Sequence, residues 1–552
     1  MSLPRVDAVV IGAGAAGPIV AKELTAAGLK VVMLERGKFY TPRDDRKDDL
    51  CNQRTTALGH PFGPDDEGNP RVLVDARGAE RILRPSQGGY NNNAACVGGG
   101  TLSYGAMAWR FHPYDFRMKS QYGAPEGSTL EDWPVSYDDL EPHYEKAEWE
   151  IGVSGDDSNN PCKGPRKKPL PMPPVGPPTR EHVLLEAAAK RLGLHPFHIP
   201  MLRNSVPRHG RPACMRCRWC VGFACEVDAK CGTQNTVLRT SLATGLLEMR
   251  TDCQASEIVT DAKGRATAVR YFDAQGRGQE QPAKLIVLAG GAIESARLLL
   301  LSRSAAFPSG IGNRHDWVGR NLQGHTYTGA YGLFEQEMYD DLGPGASVAI
   351  SDFNHGNPGL KGGAMLCNEF IRLPYQFVTG ARPPGLPRWG AEHKDYMRQF
   401  YRRSIAVQGP TQEMPVFDAR ITLDPKVKDK YGLPVARMSG GKHKHTIEIG
   451  AAMCFKAEAW LKEAGAIRTW HKGGGAGLSG GQHQAGTCRM GSDSKTSVVD
   501  RACRLHESPN LYVVDASVHV TNGGFNPVLT IMALAYWSAE HMVKAWKGGG
   551  MA

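Results

Sequence analysis

Five cysteines fall within eighteen residues: Cys214, Cys217, Cys220, Cys225 and Cys231. The first four follow the spacing C-x2-C-x2-C-x4-C. That brings several thiolates within one or two turns of chain, as a soft metal or an iron–sulfur cluster requires. Spacing alone weighs iron–sulfur and structural zinc equally, with a local disulfide behind both. Eight other cysteines stand singly (Cys51, Cys96, Cys162, Cys253, Cys367, Cys454, Cys488 and Cys503) and read as small buried hydrophobes. The total of thirteen is odd, which argues against a fully paired disulfide framework.

A second pattern suits phosphates. The apolar run VDAVVI at residues 6–11 enters Gly12-Ala-Gly14-Ala-Ala-Gly17, and a helical stretch and the strand LKVVMLE follow, ending in Glu35. This is G-x-G-x-x-G in a strand–helix–strand context with an acid about twenty positions on, the arrangement that binds a dinucleotide. Gly12 allows the tight turn, Gly14 lets backbone approach a pyrophosphate, and Gly17 packs the helix on the strand. The helix N-terminus offers N–H groups to the phosphates, and Glu35 accepts hydrogen bonds from a ribose. A second glycine cluster, with Gly98, Gly99 and Thr101, and a later strand entering Gly290-Gly291 add further close approaches. Several such approaches suit a long cofactor held in the body of the protein, so FAD is favoured over an exchangeable nicotinamide.

These groups need a scaffold, and 552 residues with 41% apolar and 22% charged side chains supply a sizeable core. The net charge of +10 is spread without a Lys/Arg-rich run, so no nucleic-acid partner is expected, and an anionic substrate or partner is the better use of it. No stretch approaches the ~20 apolar residues of a membrane span, and the N-terminus reads as a strand and not as an export signal. Residues 164–178 (GPRKKPLPMPPVGPP) predict an extended arm, and 180–193 an amphipathic helix. Residues near 250–260 and 265–273 predict a β-meander before the strand at 284–289. A helix is expected over CFKAEAWLKEAG, which starts at Cys454.

The C-terminal stretch completes a resemblance. His483-Gln-Ala-Gly-Thr-Cys, the run Asn510 to Ser517 containing Asp515, and Asn526-Pro527-Val-Leu-Thr530 occur in order after VGGGTLSYGAMAWRF and Val318-Gly-Arg-Asn-Leu-Gln-Gly-His325. Together with the N-terminal unit, over nearly the whole chain, this closely resembles the glucose–methanol–choline (GMC) family of FAD oxidoreductases. Gly324 departs from the family's usual Asp. The resemblance implies an α/β fold: a discontinuous, doubly wound FAD-binding domain with a sheet-based α+β substrate domain. Its parts are expected at 1–135 (FAD-binding), 136–205 (arm and substrate side), 206–330 (cysteines and FAD-binding), 331–477 (substrate domain) and 478–552 (FAD-binding and catalytic). It puts His483 at the catalytic-base position and Asn526 where a second residue clamps the reacting oxygen. Gly98, Gly99, Thr101, Asp515, Asn526 and Pro527 are expected at the cofactor. Histidine, with an unperturbed pKa of ~6.5, suits the removal of a hydroxyl proton near neutrality. His519 is a rival base that sits where relatives vary.

The five-cysteine insert, the WRF-PYDF block and the proline arm look like the flavoprotein subunits of bacterial membrane-linked sugar dehydrogenases, which include gluconate, fructose, glucose and glucoside 3-dehydrogenases. That subgroup implies an iron–sulfur cluster of three-iron type, assigned to Cys214, Cys217, Cys220 and Cys225 with Cys231 as a spare ligand. It also implies a small companion subunit, a cytochrome acceptor and a sugar, glycoside or sugar-acid substrate. Export would be with a partner to the periplasm; otherwise the protein is cytoplasmic. The competing expectation is an oxygen-using oxidase with zinc or free cysteines.

Overall fold

The computed structural model describes residues 3–45, 47, 62–90, 94–339, 341–370, 372–479, 481 and 483–549. Cys51 and the last three residues of the terminal GGGMA lie outside them. The strand Val6–Ile11, buried over its last four residues, pairs in parallel with Val31–Leu34 on one side and Gly278–Leu288 on the other. Leu247–Arg250 and Leu511–Val513 extend the parallel part at either side. A near-continuous apolar strand is what a sheet covered on both faces requires.

Gly12 turns the chain from the first strand into the helix Gly17–Ala26, at φ +104°. A Cβ there would lie 2.4 Å from the Ala289 carbonyl oxygen, so no other residue fits the turn. The helix sits directly on that turn, because a Cβ at Gly17 would lie 2.0 Å from the Gly12 carbonyl oxygen. Gly278–Leu288 has two partners along its length. Its first half pairs antiparallel with Ala266–Phe272, which pairs with Gln254–Thr260, while its second half joins the parallel sheet. This is the expected meander.

A second sheet has seven strands, in the order Arg468–Lys472, Thr326–Leu333, Ser404–Thr411, Leu366–Asn368, Val348–Ile350, Phe197–Leu202 and Val153–Asp156. Every neighbouring pair is antiparallel. Ala330, Ile405 and Val407 pack on Ile449, Met453 and Trp460 of the helix Lys444–Glu463. Side chains alternate along a strand, so Tyr331, Ala406 and Gln408 point to the opposite face.

The sheet takes in strands that precede residue 331. The hairpin Arg420–Lys428 and Pro434–Ser439 leaves it for a four-stranded sheet, in which Pro434–Ser439 runs parallel to Arg71–Val74. Such pairings span hundreds of residues, and periodicity carries no information about them. The helix expected from Cys454 begins at Lys444. Thr446, Ile447 and Ile449 are β-branched and Gly450 is a poor helix former, which hides its first turns. His443 caps them, its Nδ1 accepting the His445 N–H at 3.1 Å. The proline arm carries no helix or strand and meets the sheet through a single bridge, Met172 to Ser154.

Candidate active site

Both large sheets contribute walls to one cavity of about 600 Å³, within the range of cofactor sites, roughly 300–1,000 Å³. Gly12, Gly14 and Glu35 line one end, followed by Gly99 and Thr101. Asp515, Asn526, Pro527 and His483 line the other parts. Gly17 and Gly98 stand behind this wall, Gly17 under the helix and Gly98 against Gln234.

The nucleotide end fits a flavin dinucleotide. A Cβ at Gly14 would meet nothing within 4 Å, because it would project into the cavity. Thr233 and Thr101 fix this rim: the Thr233 hydroxyl donates to the Gly14 carbonyl at 2.8 Å and the Thr101 hydroxyl to the Gly98 carbonyl at 2.7 Å. Glu35 is buried, and its carboxylate accepts the N–H groups of Ala13 at 2.8 Å and Gly37 at 3.0 Å. Burial pushes its pKa up despite those bonds. Two oxygens with about four acceptor sites leave room for ribose hydroxyls. Asp515 accepts the Gly291 N–H at 2.9 Å and the Ser295 hydroxyl at 2.5 Å, tying the third parallel approach to the C-terminal part. The helix Val528–Lys547 starts at the cavity, so its N-terminal end and the positive end of its dipole lie at that wall.

At the other end stand two histidines. His483 adopts φ +75°, a conformation that non-glycine residues rarely hold and that clusters at functional sites. Its carbonyl accepts the Asn522 side-chain N–H at 2.7 Å. His325 Nδ1 lies 3.0 Å from His483 Nδ1, and His325 Nε2 lies 2.9 Å from the Gly523 carbonyl oxygen. A carbonyl only accepts, so His325 carries a proton on Nε2, and burial lowers its pKa. His325 Nδ1 is then an acceptor, His483 Nδ1 is the donor, and Nε2 becomes the basic nitrogen of His483.

Asn526 is oriented by the same kind of argument. Trp109 Nε1 can only donate, and it lies 3.0 Å from Asn526 Oδ1. The Asn526 amide nitrogen therefore points the other way and donates to the Tyr327 hydroxyl at 2.9 Å. The Tyr327 ring lies 6.0 Å from that of His483, which joins the two side chains at one place. His519 stands elsewhere: fully buried against Phe111 and Trp133, Nδ1 3.2 Å from Asn522 Oδ1, and absent from the cavity wall. Burial holds its pKa down at about 4.

His325 and Trp109 were visible in the sequence only as letters of motifs, and Tyr327 lay outside them. The usable signal was the period of two in TYTGAYGL, which puts Tyr327 and Tyr331 on one face of the strand.

The cysteine segment packs beside the cavity, which Val221 helps to line. Arg203, buried, donates from Nη1 to Cys220 Sγ at 2.9 Å, and the other charges acting on it are Cys214 and Cys225. Cys217 meets Cys220, and Cys225 lies near enough to act on Cys217 electrostatically. Contact with Cys217 and the Arg203 guanidinium pull Cys220 well below the ordinary thiol range. Lys230 is also buried, donating to the carbonyls of Cys220 and Phe223 at 2.7 Å each, and burial lowers its pKa to about 8. Cys231 faces away, its Sγ 3.2 Å from Asn204 Oδ1 and 3.3 Å from Arg211 Nη2. Among the described residues no three His, Cys, Asp or Glu side chains form a ready coordination shell. The donor set is sulfur-rich, and a buried cation, Arg203, meets one of its thiols directly, while Lys230 meets carbonyls.

Comparison with known proteins identifies the family. The GMC oxidoreductase family models match residues 6–327 and 415–535. The chain belongs to the GMC oxidoreductase family, whose members are FAD-dependent enzymes acting on CH–OH groups. It is 30% identical to the gluconate 2-dehydrogenase flavoprotein of Pantoea cypripedii over 98% of this chain and 93% of that one. Identity is 30% with paromamine 6'-oxidase of Streptomyces fradiae, over 97% and 90%. With the fructose dehydrogenase large subunit of Gluconobacter japonicus it is 26%, over 98% of each. Among solved structures, pyridoxine 4-oxidase from Mesorbium loti shares the fold with a TM-score of 0.61 at 17% identity, covering 97% of this chain and 99% of that one. Among the described residues no helix is long and apolar enough to cross a membrane.

Proposed function

We propose that this protein oxidises a secondary or anomeric hydroxyl of a sugar, a glycoside or a sugar acid. The observation that supports this best is His483 on one cavity wall beside the oriented amide of Asn526, with His325 bonded behind it. His483 Nε2 takes the hydroxyl proton, and the charge it gains is shared through Nδ1–H with the lone pair of His325. Asn526 donates to the substrate oxygen and holds the carbinol in line. FAD bound along the wall supplies the hydride acceptor. The similarity to gluconate and fructose dehydrogenases supports a sugar-like substrate.

Electrons would then leave one at a time. Cys214, Cys217, Cys220 and Cys225, beside Arg203 and Lys230, would hold an iron–sulfur cluster of three-iron type. A cluster there would supply the one-electron relay that zinc cannot. The acceptor would be a cytochrome, reached with a small companion subunit and by co-export to the periplasm. A relative named as a large subunit is in keeping with such a complex.

The test is anaerobic mixing of the flavin-loaded protein with a panel of sugars, glycosides and aldonates. Bleaching of the flavin by one class supports the reading, and failure of every CH–OH donor defeats it. The similarity to paromamine 6'-oxidase favours a second reading, an oxygen-using oxidase. Oxygen uptake with substrate alone would establish that one instead.

A further inference from the structure

We propose that the cavity selects substrates carrying a carboxylate, through Arg372 on the substrate-sheet wall, so that a sugar acid is preferred over the matching neutral sugar. This rests on the sugar-oxidising function proposed above and names its substrate class.

The argument starts from register. Lys472, Gly329 and Gln408 stand side by side on three neighbouring strands. Gly329 has no side chain, and a Cβ there would lie 2.0 Å from the Val407 carbonyl oxygen. Lys472 and Gln408 therefore meet across the gap: the Lys472 ammonium donates to Gln408 Oε1, and Gln408 Nε2 donates to the Glu369 carboxylate. The carboxylate is thus balanced by the ammonium through the amide between them.

Arg372 is the charge left over. Its Nη2 donates only to neutral groups, the Ser404 carbonyl at 3.2 Å and hydroxyl at 3.3 Å. Its Nη1 is buried and has no acceptor among the described residues, and the side chain also borders a small cavity with Glu181 and Glu369. The guanidinium and the Lys472 ammonium share the Tyr331 ring, at 5.6 and 5.9 Å from its centre. Tyr331, Glu369, Arg372, Gln408 and Lys472 all line the cavity that holds His483 and Asn526. This wall thus carries two cations and one carboxylate.

A guanidinium on a partly enclosed wall with no ion pair among the described residues favours an anion from the ligand, and its planar fork matches a carboxylate. Glu369 and Gln408 can meet the intervening hydroxyls. A ligand ammonium would be repelled by the same pair of cations, which sets amino sugars apart.

The experiment compares kcat/KM for flavin reduction by an aldonic acid, the matching aldose and the matching amino sugar. The acid is expected to lead the aldose by roughly tenfold to a hundredfold, the worth of one charged hydrogen bond. Arg372→Met should collapse that ratio, with the loss appearing as a raised KM for the acid, while Arg372→Lys should keep part of it. An aldose or amino sugar that equals or beats the acid overturns the proposal. So does an Arg372→Met protein that loses the same factor on acid and aldose. If none of the three reduces the flavin, the sugar-oxidising function falls, and this inference with it. If Arg372→Met fails to fold, the substrate panel on the unsubstituted protein decides alone.

Discussion

The ring nitrogens Nδ1 of His325 and His483 lie 3.0 Å apart, and the Gly523 carbonyl on the far side of His325 decides which of them carries the proton. His325 thereby acts as a positioning residue, setting the tautomer of His483 without facing the cavity itself. Substituting His325 by leucine should leave the flavin bound and slow its reduction, whereas asparagine, which can still accept and donate, should slow it less. His483→Ala should cost roughly the 10²–10⁴-fold of a positioned base. Stopped-flow flavin reduction with its pH profile separates the two. A His325→Leu protein as fast as the parent removes the tautomer argument.

Gly14 makes the clearest separation between folding and cofactor binding. Because a Cβ there meets no protein atom within 4 Å, Gly14→Val should fold and purify in normal yield but without yellow colour. Gly12→Ala should instead lower stability, because its Cβ would meet the Ala289 carbonyl oxygen at 2.4 Å in a left-handed backbone. Flavin absorbance per protein and thermal melting distinguish these outcomes.

Cys220→Ser tests the electron exit. Broad visible absorption, an EPR signal and iron with sulfide should all be lost, while substrate still bleaches the flavin, since His483 and Asn526 are untouched. Transfer to a cytochrome should collapse. One zinc and no iron in the parent protein would leave the flavin chemistry standing and remove the relay.

His519 predicts a pH dependence of stability. Its folded pKa of about 4 lies below the ordinary histidine value, so between about 6.5 and 4 the unfolded chain binds a proton that the folded one does not. Stability should therefore fall as pH is lowered through that window, by about 3 kcal/mol for this one side chain. Urea unfolding at a series of pH values measures it. His519→Gln should flatten the slope, and an unchanged slope would show that His519 does not contribute it.

The phosphate-facing turn and the parallel strands were readable because both are local: glycines at fixed offsets and an apolar run need no distant partner. The family motifs carried the fold class further, and the matches over residues 6–327 and 415–535 agree with it. The substrate sheet was not readable. Its neighbours, such as Phe197–Leu202 beside Val348–Ile350, are brought together by topology, and the departure of the 420–439 hairpin has no sequence signal. The same holds for the wall formed by Glu369, Gln408 and Lys472. Each is an ordinary polar residue in a strand or at its edge until register sets them together. His325 was a motif letter without a role, because its effect depends on a backbone carbonyl two hundred residues away.

The strand Thr326–Leu333 and the residue before it carry four separate duties at every second position. His325 sets the proton, Tyr327 meets the clamp, Gly329 opens the gap and Tyr331 carries the cations. Inserting or deleting one residue ahead of Tyr327 would turn every later member of the set to the wrong face at once. Substrate range in this protein can therefore drift by exchange of side chains on neighbouring strands, whereas change in length along this one strand would abolish reactivity together with recognition.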